Sequence, residues 1–256
     1  TDLFVADGLV RFCGFRLPTR MFVIRLADRK LLIYAPIELD ADLRAAVDEL
    51  GAVAYIMAPS RLHDGHIAQW KDSYPEASLY AAPGVHERHR GIHWAGTIGG
   101  PSHSQLPFGQ EVLPVVAKGN TFVQEVLLYH KASKTCIVAD IVENMTEEWV
   151  VESGTSSTCF GRWVLSFIDF CFHELVGRSG PSPDWQLHLT GDVAEIRATV
   201  AEVTSWDFDA LLLCHGELIE QDAKVALLRT LAELMTMSEK RSPCWVACCA
   251  RLGKWR

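Results

Sequence analysis

Within six residues, Arg61-Leu62-His63-Asp64-Gly65-His66, the chain offers two imidazoles and a carboxylate. Far downstream Asp140 closes one apolar run, and His215, in Cys214-His215-Gly216, closes another. Histidine nitrogen and carboxylate oxygen are the ligand types of Zn²⁺ and of non-haem iron. The apolar, β-branched runs before these residues have the composition of buried strands. In layered α/β folds, sites collect at strand ends. The three loops are therefore of the kind that a fold gathers around one ion.

The elements that position them can be read along the chain. Residues 9–12, 21–26 and 31–34 read as strands of an opening hairpin layer, and residues 40–50 as a helix ended by Gly51. A buried strand over 53–57 leads through Pro59 into the His63 loop. The helix after it runs to about Ser73 and is stopped by Pro75, and a strand follows at 78–81. This is a βαβ step. Residues 123–129 and 135–138 pair through a turn at 131–134, which sets His130 at the turn end and Asp140 at the other. At about 3.3 Å per residue these two lie roughly 20 Å apart, so His130 is set aside and Asn120 falls beside Asp140. After Gly191-Asp192 a helix to about Val203, a strand at 210–214 and a helix at 222–235 close the pattern.

The order of these motifs resembles the metallo-β-lactamase fold superfamily, and most closely a degenerate, uncharacterised subgroup of it. The resemblance spans roughly residues 5 to 235. The family motif His-x-His-x-Asp-His falls on residues 61–66, where His63 and His66 match while Arg61 and Gly65 replace a histidine and the aspartate. The Gly-His-Thr turn falls on Gly119-Asn120-Thr121, so that ligand is Asn. The bridging aspartate matches Asp140 and the final histidine His215. The resemblance implies a four-layer αββα sandwich of two mixed sheets with outer helices. Its domain would cover residues 1–237, with 141–190 as a helical insertion and 238–256 as a Cys/Trp-rich basic tail.

The departures favour a single ion over a binuclear centre. One metal position keeps only His63 and Asp140, having lost its partners at Arg61 and Asn120. The other keeps His66, Asp140 and His215, three ligands that leave a coordination position open to water. Asp64 is a replacement carboxylate within reach. Arg61 brings a fixed positive charge that opposes a second cation and suits Asp140 or a substrate anion. Asn120 is a poor metal ligand but can orient a water.

The same residues also suit structural roles. His63 and His66 can anchor the start of a helix, with Asp64 favoured by the helix dipole; Asp140 can bind a turn, and His215 can be a satisfied buried ring. His86, His89 and His93 recur at helical spacing, but interleaved Glu and Arg and the breaker Gly91 make a solvated polar segment. His103, His173 and His188 lack partners in sequence and read as structural. Phe160, Trp163, Val164, Phe167, Ile168, Cys171 and Phe172 have the spacing of a buried helix face. Lying inside the insertion, that helix can be core, a lid over the site or the surface of a homodimer.

A chain of 256 residues with 49% hydrophobic content can bury a substantial core. Its net charge of −8 gives no basic face for nucleic acid. The eight cysteines include no Cys-x-x-Cys pair and several sit in apolar runs, reading as buried thiols of a reducing, cytoplasmic setting. No apolar run approaches the roughly 20 residues of a membrane span, although the basic, aromatic tail around Cys248 and Cys249 also suits membrane contact or acylation.

The expectation is a metal-dependent hydrolase acting on an ester, thioester or amide-like small molecule. One Zn or Fe ion would be held by His66, Asp140 and His215 and assisted by His63, with Asp140, His63 and Asn120 in catalytic roles and Arg61 and Asp64 facing substrate. Two readings stand beside it: a non-catalytic binding or scaffold protein with no ion, and a non-haem iron redox protein using a two-His-one-carboxylate set.

Overall fold

The computed structural model of the chain describes residues 2–12, 15–101, 105–152 and 176–240. The aromatic run at 160–172 and the tail from 241, with Cys248 and Cys249, lie outside these residues. So do His103 and His173.

A six-stranded sheet comes first, in the order β1 (Leu3–Phe12), β2 (Phe15–Arg25), β3 (Lys30–Tyr34), β4 (Ala52–Ala58), β5 (Ser78–Ala81) and β6 (Gly96–Thr97). β1 to β3 are antiparallel and β3 to β6 parallel, so the sheet is mixed. β1 and β2 are longer than the sequence pattern suggests. Gly8 and Pro18 interrupt the apolar alternation, but antiparallel pairing from Leu3↔Ile24 to Phe12↔Phe15 carries both strands through.

The second sheet has four strands, β7 (Val112–Val116), β8 (Val126–His130), β9 (Thr135–Val138) and β12 (Ala210–Leu213), in the order β12-β9-β8-β7. Strands β10 (Glu143–Asn144) and β11 (Ser179–Gly180) form a small separate pair. The period-two alternation of side chains decides which layer each residue joins. Val126, Leu128, Ile137 and Leu212 face the first sheet across a shared core with Ile24, Ile33 and Ile56. Leu127, Tyr129, Val138 and Leu213 face the opposite side.

Helices cover the outer faces. α1 (Ala41–Leu50) and α2 (Ile67–Ser73) contact β4. α5 (Val193–Thr204) and α6 (Ala223–Glu239) contact the second sheet, while α3 (Glu147–Glu152) and α4 (Pro183–Leu187) are short. The result is an αββα sandwich of two mixed sheets. Asp40 starts α1 by accepting the amide of Leu43, and Gly51 follows its end. α6 runs four residues past the end expected at 235, because no glycine or proline intervenes before it closes at Glu239. Residues 181–190 of the expected insertion are stitched into the body: Trp185 and Leu189 are buried in the core beneath α5 and α6. Among the described residues no helix is long and apolar enough to cross a membrane.

Candidate metal centre

Asp140 and His215 follow the carboxyl ends of β9 and β12, which are parallel neighbours, so both ends emerge on the same side of the sheet. His63 follows β4 of the other sheet, where the carbonyl of Pro59 accepts the amide of Val126 at 2.8 Å and ties the two sheets together. The three side chains meet there. Nε2 of His63 lies 3.2 Å from Oδ1 of Asp140, and Nε2 of His215 lies 3.6 Å from the same oxygen. The two imidazole rings are 5.3 Å apart. One ligand atom from each of the three residues falls within 4.8 Å of the other two, a group compact enough for one metal ion. Ser60 Oγ donates to Oδ2 of Asp140 at 3.4 Å.

His215 is held from behind. Its Nδ1 lies 2.7 Å from the carbonyl oxygen of Pro18 on β2. A carbonyl only accepts, so Nδ1 carries the hydrogen, and in the neutral ring Nε2 presents a lone pair. Burial and the neighbouring His63 ring push the His215 pKa down to about 4, which keeps the ring neutral. Two acceptors therefore confront each other, the His215 lone pair and the Asp140 carboxylate, and a cation between them relieves the conflict. Arg20, also on β2, donates through Nη1 to the carbonyls of Leu213 and Gly216 on either side of His215.

The remaining charges are coupled to this group. Burial disfavours a charged His63, but the Asp140 carboxylate outweighs it and leaves the His63 pKa raised. Burial alone would raise Asp140; the His63 and His215 rings and the Ser60 hydroxyl hold it below the ordinary carboxylate value. In the absence of any other cation, a proton on His63 compensates Asp140. A donor set of two imidazoles and one carboxylate suits Zn²⁺ or Fe²⁺.

The structure brings His63, Asp140 and His215 together and leaves His66 outside the group. The chain turns into α2 at His66, which occupies the position before the first helical residue and makes no side-chain capping bond. Arg61 does not pair with Asp140: its guanidinium meets Glu87 at 3.3 Å and the carbonyl of Gly84 at 3.2 Å, above the ring of Phe122. Asp64, buried, faces Arg88 at 3.2 Å and His89 at 3.1 Å, distances of ion pairing without hydrogen-bond alignment. Asn120 spends its amide on the backbone. Its oxygen accepts from the amides of Phe122 and Val123, both at 2.8 Å, and its nitrogen donates to the carbonyls of Asp184 and Trp185. His130, at the turn end of the β8–β9 hairpin, bonds Ser133 instead. His86 and His93 are exposed in a segment of turns, as the charge pattern suggested.

Sequence reasoning missed Glu125. Its fully buried carboxylate accepts the amides of Ala139 at 2.6 Å and of Asp140 and Ile141 at 2.8 Å, and the indole N–H of Trp185 at 3.2 Å. It thereby fixes the turn that aims Asp140. Burial and the charge of Asp140 push the Glu125 pKa up to about 7, against four donors that favour the anion. The signal was available: Glu125 is a lone charge in the apolar run 122–129. Glu143, on β10, is a second buried carboxyl, with Oε2 lacking a hydrogen-bond partner. Burial and then the charges of Asp140, Asp184 and Glu125 raise its pKa well above the usual range.

The layered architecture and the strand-end cluster define the metallo-β-lactamase fold. Solved structures agree on the fold. DIM-1 metallo-β-lactamase exposed to ceftazidime aligns over 94% of both chains at 12% identity and a TM-score of 0.60. FIM-1 from Pseudomonas aeruginosa in its mono-zinc form aligns over 91% of this chain and 92% of its own, at 8% identity and a TM-score of 0.57. A metallo-β-lactamase from Erythrobacter litoralis with β-mercaptoethanol in its active site gives 11% identity, 91% and 93% coverage, and a TM-score of 0.57. Within this fold the chain belongs to the family described as Domain of unknown function (DUF4336), which it matches over residues 3–155. A comparison with curated protein sequences gives no match.

Proposed function

We propose that the protein is a metal-dependent hydrolase of the metallo-β-lactamase fold that works with a single ion held by His63, Asp140 and His215. The observation that carries this reading is the confrontation of the His215 lone pair with the Asp140 carboxylate at 3.6 Å, with His63 beside them. An ion bound there supplies Lewis acidity toward a water and toward the carbonyl of an ester, thioester or amide. Asp140, gripped through its backbone by Glu125, orients the attacking water. His63, whose raised pKa comes from Asp140, would have to give up its proton to hold the ion. FIM-1, a relative in fold, was solved in a mono-zinc form, which makes one ion a reasonable stoichiometry here.

The test is elemental analysis of protein purified without added metal, beside the His63→Ala/His215→Ala double variant, with hydrolysis of p-nitrophenyl acetate as the activity readout. About one zinc or iron per chain, lost together with turnover in the double variant, is the expected result. Full activity in His215→Ala sinks the proposal.

A second reading, a binding or scaffold protein with no ion, draws on the commitment of Arg61 and Asn120 to structural bonds at two positions where the resemblance expects ligands. Failure to take up zinc or iron after reconstitution would favour it.

A further inference from the structure

A cavity of about 580 Å³ is lined by none of His63, Asp140 or His215. Its size is that of a small-molecule site. Four separated pieces of chain line it: Pro83 after β5, the stretch around β6 (Thr97 to Gly100), the end of β7 with the turn into β8 (Lys118 to Thr121, with Gln124), and Thr190 together with Glu195, which lies in the first turn of α5. The floor is preformed. Thr121 N donates to His188 O at 2.8 Å, Thr190 N donates to Gly119 O at 2.9 Å, and Lys118 N donates to Thr199 Oγ1 at 3.2 Å. Gly119 has φ 96°, and a Cβ there would collide with Ile196, so the turn approaches α5 as closely as only glycine allows. Gln124, not a glycine, is held at φ 40° in the same turn. Strained backbone of this kind gathers at ligand sites.

Charge gives the cavity a direction. Lys118 is exposed on one piece, and among the described residues no carboxylate lies within 4.0 Å of its ammonium. Glu195 stands on another piece. Its carboxylate accepts only from Thr190 Oγ1, at 3.3 Å, and pairs with no cation among the described residues. A cation and a carboxylate thus line one cavity without neutralising each other, together with the polar Thr97 and Gln124 and the apolar Ile98 and Val116.

We infer that this cavity is a binding site for a small zwitterion of amino-acid to dipeptide size, whose carboxylate meets Lys118 and whose ammonium meets Glu195. The site does not depend on the metal centre. It shares one structural thread with it: Asn120 lines the cavity and donates to the carbonyl of Trp185, whose indole donates to Glu125 beneath Asp140.

The experiment uses the full chain, treated with EDTA so that metal plays no part, and follows backbone amide resonances during titration with L-glutamine. Saturable shifts at Thr97, Lys118 and Gln124 are expected. N-acetyl-L-glutamine, which lacks the ammonium, and the α-amide of L-glutamine, which lacks the carboxylate, should each bind at least about threefold more weakly, as should the Lys118→Ala and Glu195→Ala variants with L-glutamine itself. Absence of saturable shifts overturns the proposal, as does equal binding of either neutralised analogue or by either variant. Metal content, measured on untreated protein and on the two variants, is expected to be unchanged, so the fate of the hydrolase reading is scored separately.

Discussion

Pro18, on the amino-terminal hairpin, accepts a hydrogen bond from Nδ1 of His215, 197 residues further along the chain, at 2.7 Å. That single bond selects the tautomer of His215 and turns Nε2 toward Asp140. Because His63 completes the group and His66 does not, alanine substitutions should separate the two histidines of the 61–66 segment. His63→Ala and His215→Ala are each expected to lower zinc affinity by at least about a hundredfold, as loss of one of three protein ligands does. His66→Ala should retain the ion within a few-fold. Competition with a chromophoric chelator measures all three, and a His66→Ala loss equal to that of His63→Ala would restore the ligand set expected from sequence.

Metal binding should also carry a proton signature. The ion has to displace the proton that Asp140 stabilises on His63, whose folded pKa is raised above 6.5. Apparent affinity is therefore expected to fall about tenfold per pH unit below that raised value. His215 adds a second proton only near its value of about 4. Chelator competition between about pH 5.5 and about 8.5 would show the slope in the wild type. A flat profile across that window would remove His63 from the ligand set.

The fold was legible because its strands advertise themselves. The runs expected at 53–57, 123–129, 135–138 and 210–214 are largely apolar, and each overlaps a strand of the two facing sheets, although β8 starts only at Val126, after Glu125 has turned its carboxylate to the amides of Ala139, Asp140 and Ile141. Asp140 and His215 could be singled out because they close such runs. What sequence could not supply was direction. His63 and His66 are chemically alike and three residues apart, and only the turn into α2 after Gly65 decides which ring reaches Asp140. Pro18 and Arg20 act on His215 across the whole chain, through a backbone carbonyl and a guanidinium that no local pattern marks. Asn120 was expected to orient a water, but its amide oxygen and nitrogen are both committed to nearby backbone.

Glu125 should be the most costly polar residue to neutralise. In Glu125→Gln the amide nitrogen faces backbone N–H groups where an acceptor stood, leaving buried donors without partners. A loss on the order of 2–4 kcal/mol in unfolding free energy is expected from urea denaturation. The pH dependence identifies the cause. The folded-state pKa of Glu125, about 7, lies above its unfolded value, so the native state binds the proton more tightly. Its contribution is fully present at low pH and is lost as pH rises from the ordinary carboxylate range through about 7. The variant should lack that part of the slope. An unchanged slope with a large stability loss would leave the hydrogen bonds, and not the ionisation, as the whole effect.

Two glycines, one beside His215 and one in the 61–66 segment that carries His63, offer a sharper contrast, because one is required by space and the other is not. Gly216, next to His215, has φ 88°, and a Cβ added there would fall inside the backbone of Asn144, which forms a β-bridge with it. Neither strand of that contact can yield without moving His215, whose carbonyl accepts the amide of Asn144 at 3.4 Å. Gly216→Ala should therefore cost about 3 kcal/mol or more, through positive-φ strain together with the backbone collision. It should weaken zinc binding as well, since His215 shifts with it. Gly65, next to His66, has nothing within 4 Å of the same added atom and no positive φ. Gly65→Ala is expected to change stability by less than about 1 kcal/mol, in the favourable direction if the unfolded chain loses more freedom than the folded one. Thermal unfolding of both variants, each followed by chelator competition, decides the matter. Tolerance of alanine at Gly216 with zinc affinity intact would mean that the His215 loop is free to rearrange, and that Pro18 and Arg20 do not hold it in the geometry on which the metal reading depends.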